Sequence, residues 1–211
     1  MQKRTPDALE DRLSRPGPAE REHFAKLRAL CLGAGLDENG NLVQLRGPLF
    51  LDFEASSLSS ASWPIEVGIS RLLEGRRIVT QSKLIKPRAS WPEDDWDPKS
   101  EEVHGIKRSE LNEGEDPDAV SRWILNEAKH SALVSDAPEY DQKWLDRLLG
   151  QPGPQIAYFD EILWDAFSEE GVVSPGRLHR AYKNMRNRKV THRAGADAAN
   201  LCCAWRAGIG K

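Results

Sequence analysis

Two acidic residues, Asp52 and Glu54, are separated by one position in the run LFLDFE. Side chains along a strand alternate between its faces, so both carboxylates would lie on one face and Leu49, Leu51 and Phe53 on the other. Two carboxylates roughly 7 Å apart on one strand face can share a hard divalent cation. The alternative is an edge strand with a solvated acidic face. An otherwise apolar strand favours the functional interpretation, because an unpaired buried charge is costly.

A second acidic pair, Asp136 and Asp141, follows a short apolar stretch. Asp136 has Glu139 three residues later, which is the pattern of a helix N-cap with a capping box. Asp141 recurs with Leu145 and Leu148 at helical spacing, so a helix would place its charge beside an apolar stripe. A carboxylate there needs a partner, which a metal site would provide. We therefore favour Asp141 over Asp136 as the functional residue.

The third candidate feature is His192 followed five positions later by Asp197. Positions five apart on an α-helix lie about 140° around its axis, so two helical residues at this spacing would not share a face. The two side chains can converge if His192 precedes the helix and Asp197 lies on its first turns. The histidines His104, His130 and His179 are interpreted as surface or satisfied core groups.

Basic residues dominate the approach to His192. Between residues 171 and 196 there is no Asp or Glu, whereas Lys or Arg occurs seven times. Two interpretations stand side by side, a solvated helix face and a rim that binds phosphate groups. In the second interpretation, Arg186, Arg188 and Lys189 are the candidate contacts.

The apolar pattern predicts an α/β fold that would position these groups. Strand-like runs at 49–54, 65–72 and 77–85 are joined by short turns, which indicates an antiparallel meander. Helix and strand patterns then alternate, with short strands at 132–135 and 155–159, which implies a mixed sheet flanked by helices. Helices are predicted at 117–129, 138–149, near 160–170, 176–187 and 193–207.

The segment 86–115 is rich in Pro, Trp and acidic residues and is predicted to be a long structured loop with little regular structure. Its acidic stretch, 93–102, is expected to be solvated surface. Trp91 and Trp96 are expected to anchor the loop, with stacking on nucleic-acid bases as the alternative role.

Composition limits the class of protein. The 211 residues include 30 Lys+Arg and 33 Asp+Glu, for a net charge of −3, and 39% are hydrophobic. These values predict one globular domain at 46–211, preceded in 1–45 by a charged arm and a helix at about 19–32. Near-neutral charge argues against non-specific DNA coating but permits a local basic groove.

Two further features of the sequence bear on location. No apolar run approaches the roughly 18 residues that cross a bilayer, so no membrane association is expected. The three cysteines, Cys31, Cys202 and Cys203, form neither a disulfide framework nor a zinc-binding spacing. A reducing cytoplasmic location is therefore predicted.

The order of the acidic residues and the histidine resembles that of the DEDDh (DnaQ-like) 3′→5′ exonucleases. The segment PIEVG at 64–68 resembles the second strand of that family, and VHGI at 103–106 resembles its His-Gly-Ile segment. The resemblance covers residues 48–204, with the pieces in the order found in the family. It implies a ribonuclease H-like, mixed five-stranded sheet. The residues that carry it are Asp52, Glu54, Asp141, His192 and Asp197.

The resemblance implies a metal-dependent 3′→5′ exonuclease that releases nucleoside 5′-monophosphates. Asp52, Glu54 and Asp197 would hold one ion, and Asp52 with Asp141 would hold a second. Two Mg²⁺ or Mn²⁺ ions suit such carboxylate ligands. His192 would be the general base, since an imidazole can accept a proton near neutral pH.

The resemblance further implies contacts with the substrate from Ala55, Ser56 and Leu58, where the family often has Thr-Thr-Gly-Leu. Leu58 would wedge against the terminal base, with packing as an equal alternative. The expected partner is the single-stranded 3′ end of RNA or DNA, and a homodimer is left open. The alternative function is a nuclease-like domain that binds nucleic acid or a protein without turnover. Clustered carboxylates argue against that alternative, because a pure binding module gains nothing from their mutual repulsion.

Overall fold

The computed structural model describes residues 46–169, 172–188 and 191–210. The predicted domain boundary at residue 45, the N-terminal arm and helix, and Lys189 lie outside these described residues. Within them, no helix is both long enough and apolar enough to cross a membrane.

A five-stranded sheet with the order β3-β2-β1-β4-β5 forms the centre of the fold. The strands are β1 (Pro48–Ala55), β2 (Pro64–Leu72), β3 (Ile78–Leu84), β4 (Ala132–Ser135) and β5 (Ile156–Tyr158). β1 pairs antiparallel with β2, which pairs antiparallel with β3, whereas β1–β4 and β4–β5 are parallel. This mixed sheet confirms the predicted meander followed by parallel strands, and each strand lies within about one residue of its predicted bounds.

Six α-helices flank the sheet in the described part of the chain. They are α1 (Pro98–His104), α2 (Pro117–Ala128), α3 (Pro138–Leu149), α4 (Phe159–Ala166), α5 (Pro175–Arg186) and α6 (Ala194–Ile209). A two-stranded hairpin, β6 (Ser168–Glu169) and β7 (Val172–Val173), connects α4 to α5. The helix predicted near 160–170 is therefore shorter than expected and ends where this hairpin begins.

The two faces of the sheet carry separate hydrophobic clusters. Leu49, Leu51 and Phe53 of β1 lie in one cluster, together with residues of α2 and α3. Phe50 lies in the other cluster, with residues of α4 and α6 such as Trp205. Because strand side chains alternate, Asp52 and Glu54 share the Phe50 face, which is the face that α6 covers.

The prediction of an irregular loop at 86–115 was wrong in part. The segment contains α1 and two short 3₁₀ helices, Glu93–Asp95 and Arg108–Glu113. α1 begins because the Asp97 carboxylate accepts a hydrogen bond from Lys99 N at 2.9 Å and Pro98 occupies the first turn. It ends at Gly105, whose φ of 70° suits a residue without a side chain.

The predicted anchoring role of the two tryptophans in this segment is confirmed. The Trp91 ring stacks on the Trp63 ring with centroids 5.7 Å apart, and the Trp96 ring lies 5.9 Å from the same ring. The Trp63 indole N–H also donates to the Pro92 carbonyl at 2.9 Å. These contacts fix the segment against the start of β2.

Candidate active site

Three carboxylates meet where the N-terminus of α6 crosses the sheet. Oxygen atoms of Asp52, Glu54 and Asp197 all lie within 4.8 Å of one another. The first two come from adjacent same-face positions of β1, and the third lies on the first turn of α6. Local strand geometry brings one pair of carboxylates together, and a long-range helix contact supplies the third.

Gly68 of β2 allows α6 to approach this closely. It pairs with Asp52 across the β1–β2 ladder. A Cβ atom at Gly68 would lie 2.1 Å from the Ala194 carbonyl carbon and 2.2 Å from Gly195 N. The absence of a side chain at this position therefore determines how near Asp197 can come to Asp52.

Glu66 connects the sheet to the residues that precede α6. It lies opposite Glu54 in the β1–β2 register and is 2% exposed. Arg193 donates from Nε and Nη2 to its two carboxylate oxygens at 3.0 and 2.8 Å, and Ala194 N donates to Oε2 at 3.0 Å. Sequence reasoning missed this residue, although a charged side chain inside the apolar segment PIEVG was a signal for it.

Mutual repulsion shapes the ionisation of this cluster. Burial, followed by the charges of Asp197 and Glu66, raises the pKa of Glu54 to about 8, with Arg193 opposing the rise. Burial, followed by Asp141 and Glu54, raises the pKa of Asp52 well above its ordinary value. A divalent cation would relieve this repulsion, and the oxygen donors match the preferences of Mg²⁺ and Mn²⁺. The residues present therefore fit a metal site.

Asp141 lies behind the three carboxylates and is not one of the trio. It is 1% exposed, and its Oδ1 accepts a hydrogen bond from Phe53 N at 3.1 Å. Its Oδ2 accepts from the Ser135 hydroxyl. Burial raises the pKa of Asp141, and its charge acts on Asp52. The partners of this carboxylate are thus a β1 amide and a serine.

The prediction that Asp136 caps a helix was wrong. The N-cap position of α3 is Ala137, and no side chain caps the helix there. The helix begins at Pro138, so Asp136 lies one residue before the N-cap, and the Ser135 hydroxyl accepts the Ala137 N–H at 2.9 Å. Solvent reaches Asp136 through an open cavity, but the surrounding protein and the charge of Asp197 raise its pKa. Asp136 therefore joins the candidate site residues.

One cavity of about 310 Å³ contains the trio, Asp136 and His192. His192 is exposed at its rim, two residues before α6 begins, as its spacing from Asp197 required. Its φ of 50° lies in the left-handed region, where residues with a side chain are uncommon. Arg188, Asn200 and Leu201 also line this cavity.

The predicted substrate contacts are distributed unevenly around the cavity. Of the basic residues, Arg188 lines it and Arg186 does not. Ala55 and Ser56 are buried and do not line it, whereas Leu58 is 70% exposed. The Ser56 hydroxyl accepts from Trp63 N at 3.0 Å and donates to Asp95 at 3.1 Å, so its role in this structure is structural.

Asp95 holds the loop that follows β1. Its carboxylate accepts hydrogen bonds from the hydroxyls of Ser56, Ser57 and Ser59 at 3.1, 2.8 and 2.5 Å. Burial works against its charge, but the serine hydrogen bonds outweigh burial and lower the pKa of Asp95. The expectation that 93–102 is merely solvated surface was wrong for this residue. Asp95 fixes the loop that exposes Leu58.

His104 is buried against Trp96, with ring centroids 6.0 Å apart. Its Nδ1 accepts a hydrogen bond from Ile106 N at 3.0 Å, while Nε2 has no partner among the described residues. Burial lowers the pKa of His104, which favours the neutral ring. The prediction of a satisfied core histidine therefore holds for one of its two nitrogens.

Solved structures of exonuclease I have a similar fold. The E. coli protein in complex with a dT13 oligonucleotide aligns with a TM-score of 0.54 and 16% identity, over 75% of this chain and 40% of that chain. The zinc-bound E. coli complex with ssDNA aligns with a TM-score of 0.56 and 16% identity, over 75% of this chain and 39% of that chain. The moderately thermophilic exonuclease I from Methylocaldum szegediense aligns with a TM-score of 0.54 and 14% identity, over 75% of this chain and 39% of that chain.

These similarities establish the fold. The chain has the ribonuclease H-like architecture of those exonucleases and spans about 40% of the length of the chains it matches. No family model and no curated protein matches its sequence.

Proposed function

We propose that this protein is a metal-dependent exonuclease that removes nucleotides from the 3′ end of single-stranded nucleic acid. The observation that carries the proposal is the convergence of Asp52, Glu54 and Asp197 within 4.8 Å in the cavity that His192 borders. The similarity of the fold to exonuclease I in complexes with single-stranded oligonucleotides supports it.

In this proposal, Asp52, Glu54 and Asp197 hold one divalent ion, and Asp52 contributes to a second. Two such ions, Mg²⁺ or Mn²⁺, would make a water nucleophilic and stabilise the departing 3′ oxygen. Asp141 supports the second position from behind, because its hydrogen bond to Phe53 N fixes the strand between the two ligands of β1. Asp136 faces the same cavity and offers a further carboxylate.

The protein moves the proton of the attacking water through His192. A ring nitrogen of this histidine accepts the proton, and its exposed position at the cavity rim lets the proton pass to solvent. Arg188 at the cavity wall binds a substrate phosphate, for which a guanidinium is well suited. Leu58, exposed on the loop that Asp95 fixes, contacts the terminal base.

Oligonucleotides labelled at the 5′ end test the proposal directly. With Mn²⁺ or Mg²⁺ we expect a ladder that shortens from the 3′ end, and a 3′-terminal phosphate should block it. Asp52→Asn and Asp197→Asn should abolish the ladder without unfolding the protein, since each removes a ligand charge and little volume. Asp118→Asn, which changes an exposed carboxylate on α2, is the matched control. Cleavage of a circular single strand would contradict the exonuclease assignment.

A further inference from the structure

A basic groove runs along α5 and α6. It begins beside the cavity that contains Asp52, Glu54 and Asp197, which we call the carboxylate cavity. The groove has a volume of about 890 Å³ and is bounded at one end by the C-terminal residues of α6. None of the described residues that line it is acidic. Five of them are cationic: Arg76, Arg177, Arg180, Lys183 and Arg188.

The groove adjoins the carboxylate cavity, since Arg188 lines both. Arg188 donates to Asn200 Oδ1 at 3.4 Å in the first half of α6, whereas Arg180 donates to the Ala207 carbonyl at 3.1 Å near its end. α5 and α6 therefore run antiparallel. The groove follows the ten residues 177–186 of α5, so at about 1.5 Å per helical residue it extends about 15 Å from the carboxylate cavity.

Carboxylates of the described residues do not neutralise the charges of the groove. Among the described residues, none of its five cations forms an ion pair with a carboxylate. The contacts that they make with other described residues are with neutral groups. Arg76 donates to the Arg206 carbonyl at 2.8 Å, Arg180 to helix-end carbonyls, and Arg177 lies 5.8 Å from the Phe167 ring centroid. The groove is thus an extended site for an anion with several charges.

We propose that this groove binds the phosphate backbone of the single strand upstream of the 3′ end that is cleaved. The inference rests on the proposed function, which places the terminal phosphodiester in the carboxylate cavity. A strand leaving that cavity past Arg188 enters the groove directly. At a stacked spacing of about 3.4 Å per nucleotide, 15 Å accommodates about four nucleotides. The preferred substrates are therefore single strands longer than about five nucleotides.

Binding of 5′-fluorescein oligothymidylates of 2 to 16 nucleotides, measured by anisotropy in EDTA over a range of salt concentrations, tests the groove without turnover. Affinity should rise with length to about six nucleotides and then level off. Arg177→Gln with Lys183→Gln should weaken binding of the 8-mer about tenfold. The slope of log affinity against log salt should fall by about 0.7 for each lost contact.

Two variants control for indirect effects. Arg122→Gln with Lys129→Gln removes two exposed charges beside α2 and should leave both affinity and salt slope unchanged. Arg177→Lys with Lys183→Arg keeps both charges and should retain the wild-type slope. An equal loss of slope in the α2 variant, or an unchanged slope in the Gln variant, would overturn the groove assignment.

The outcomes separate the groove from the proposed function. Length-dependent binding that the Gln variant loses, without any metal-dependent hydrolysis, would support the groove and reject the exonuclease. Hydrolysis with affinity independent of length beyond two nucleotides would leave the exonuclease standing and reject the groove. Competition by poly-glutamate as effective as that by an oligothymidylate of equal charge would replace nucleic acid with an acidic peptide and reject the inference.

Discussion

The backbone at His192 limits which side chains can test its role. Its φ of 50° lies in the left-handed region, which asparagine tolerates better than most residues. His192→Asn therefore retains the loop conformation while removing a base that titrates near neutral pH. We expect kcat to fall by roughly 10²–10⁴-fold, with the melting temperature and oligonucleotide Kd little changed. Near-wild-type turnover in this variant would reject the assignment of His192 as the base.

Glu66 positions the chain that leads to Asp197, although it is not one of the three clustered carboxylates. Its carboxylate holds Arg193 and the Ala194 N–H, and so fixes the residues between His192 and Asp197. Glu66→Gln keeps the size of the side chain but breaks the charge pair. We expect activity to fall by about 10–100-fold through misplaced ligands, together with weaker Mn²⁺ binding measured by calorimetry.

A matched control for Glu66 exists at the other end of β2. Arg71 and Glu127 form a partly buried ion pair at 2.9 Å, away from the carboxylate cavity. Glu127→Gln should lower the melting temperature and leave Mn²⁺ affinity unchanged. If both variants lost stability equally and neither lost metal affinity, Glu66 would be a structural residue with no positioning role.

Residue-level reasoning succeeded where one element determined the geometry. The alternation of β1 was enough to pair Asp52 with Glu54, and the structure has this pair. For Asp141, the apolar stripe showed that its charge needed partners, and Phe53 N and the Ser135 hydroxyl are two that the stripe did not identify. For Asp136 the capping pattern was misleading, because the helix begins at Pro138 and Ala137 occupies the N-cap position. Local patterns do not fix the exact residue at which a helix begins.

At the scale of elements, the contact of α6 with β2 depends on Gly68. A methyl group there would lie 2.1 Å from the α6 backbone, so the first turn must move away from the sheet. We expect Gly68→Ala to cost about 1–3 kcal/mol and to separate Asp197 from Asp52. If the proposed function is correct, the rise in melting temperature that we expect on adding Mn²⁺ should disappear, together with the proposed nuclease activity.

Gly176 of α5 provides the control for that substitution. A Cβ atom there would meet Arg180 at 3.6 Å, an ordinary contact. Gly176→Ala should therefore keep both the metal-induced stabilisation and the activity. A Gly68→Ala protein that retained its full response to Mn²⁺ would show that the spacing between α6 and β2 is not critical.

Contacts between distant loops explain what sequence patterns missed at this scale. Asp95 binds serines 36 to 39 positions earlier in the chain, and no local periodicity encodes such a contact. α1 is a different case. Asp97 and Pro98 form the same cap-and-proline pattern as Asp116 and Pro117 at the start of α2, so this helix was predictable. The acidic composition around it obscured that signal.

At the scale of the whole molecule, the order of strands and helices was predictable because alternation and helical periodicity act over many residues. The sheet order brings Asp52 to the central strand, and the last helix brings Asp197 to the same face. Only part of the basic groove could be predicted from the sequence. Arg177, Arg180 and Lys183 belong to the basic run, but Arg76 reaches the groove from the turn between β2 and β3.

The carboxylate cluster also makes the stability of the whole molecule depend on pH. The pKa of Glu54 is raised from 4.5 to about 8, and the pKa of Asp52 is raised from 3.8. The folded, metal-free protein therefore retains protons that the unfolded chain releases. The free energy of unfolding should fall as pH rises from about 4.5 towards 8.

Melting curves in EDTA between pH 5 and pH 8 measure this dependence. The wild-type melting temperature should fall by several degrees, because about 1 kcal/mol corresponds to 2–4 °C in a protein of this size. Asp52→Asn removes one repelling charge, so its profile should be flatter and its melting temperature at pH 8 higher. Mn²⁺ should raise the melting temperature of the wild type at pH 8 and should raise that of Asp52→Asn much less. Parallel pH profiles for the two proteins would mean that repulsion within the cluster does not control stability.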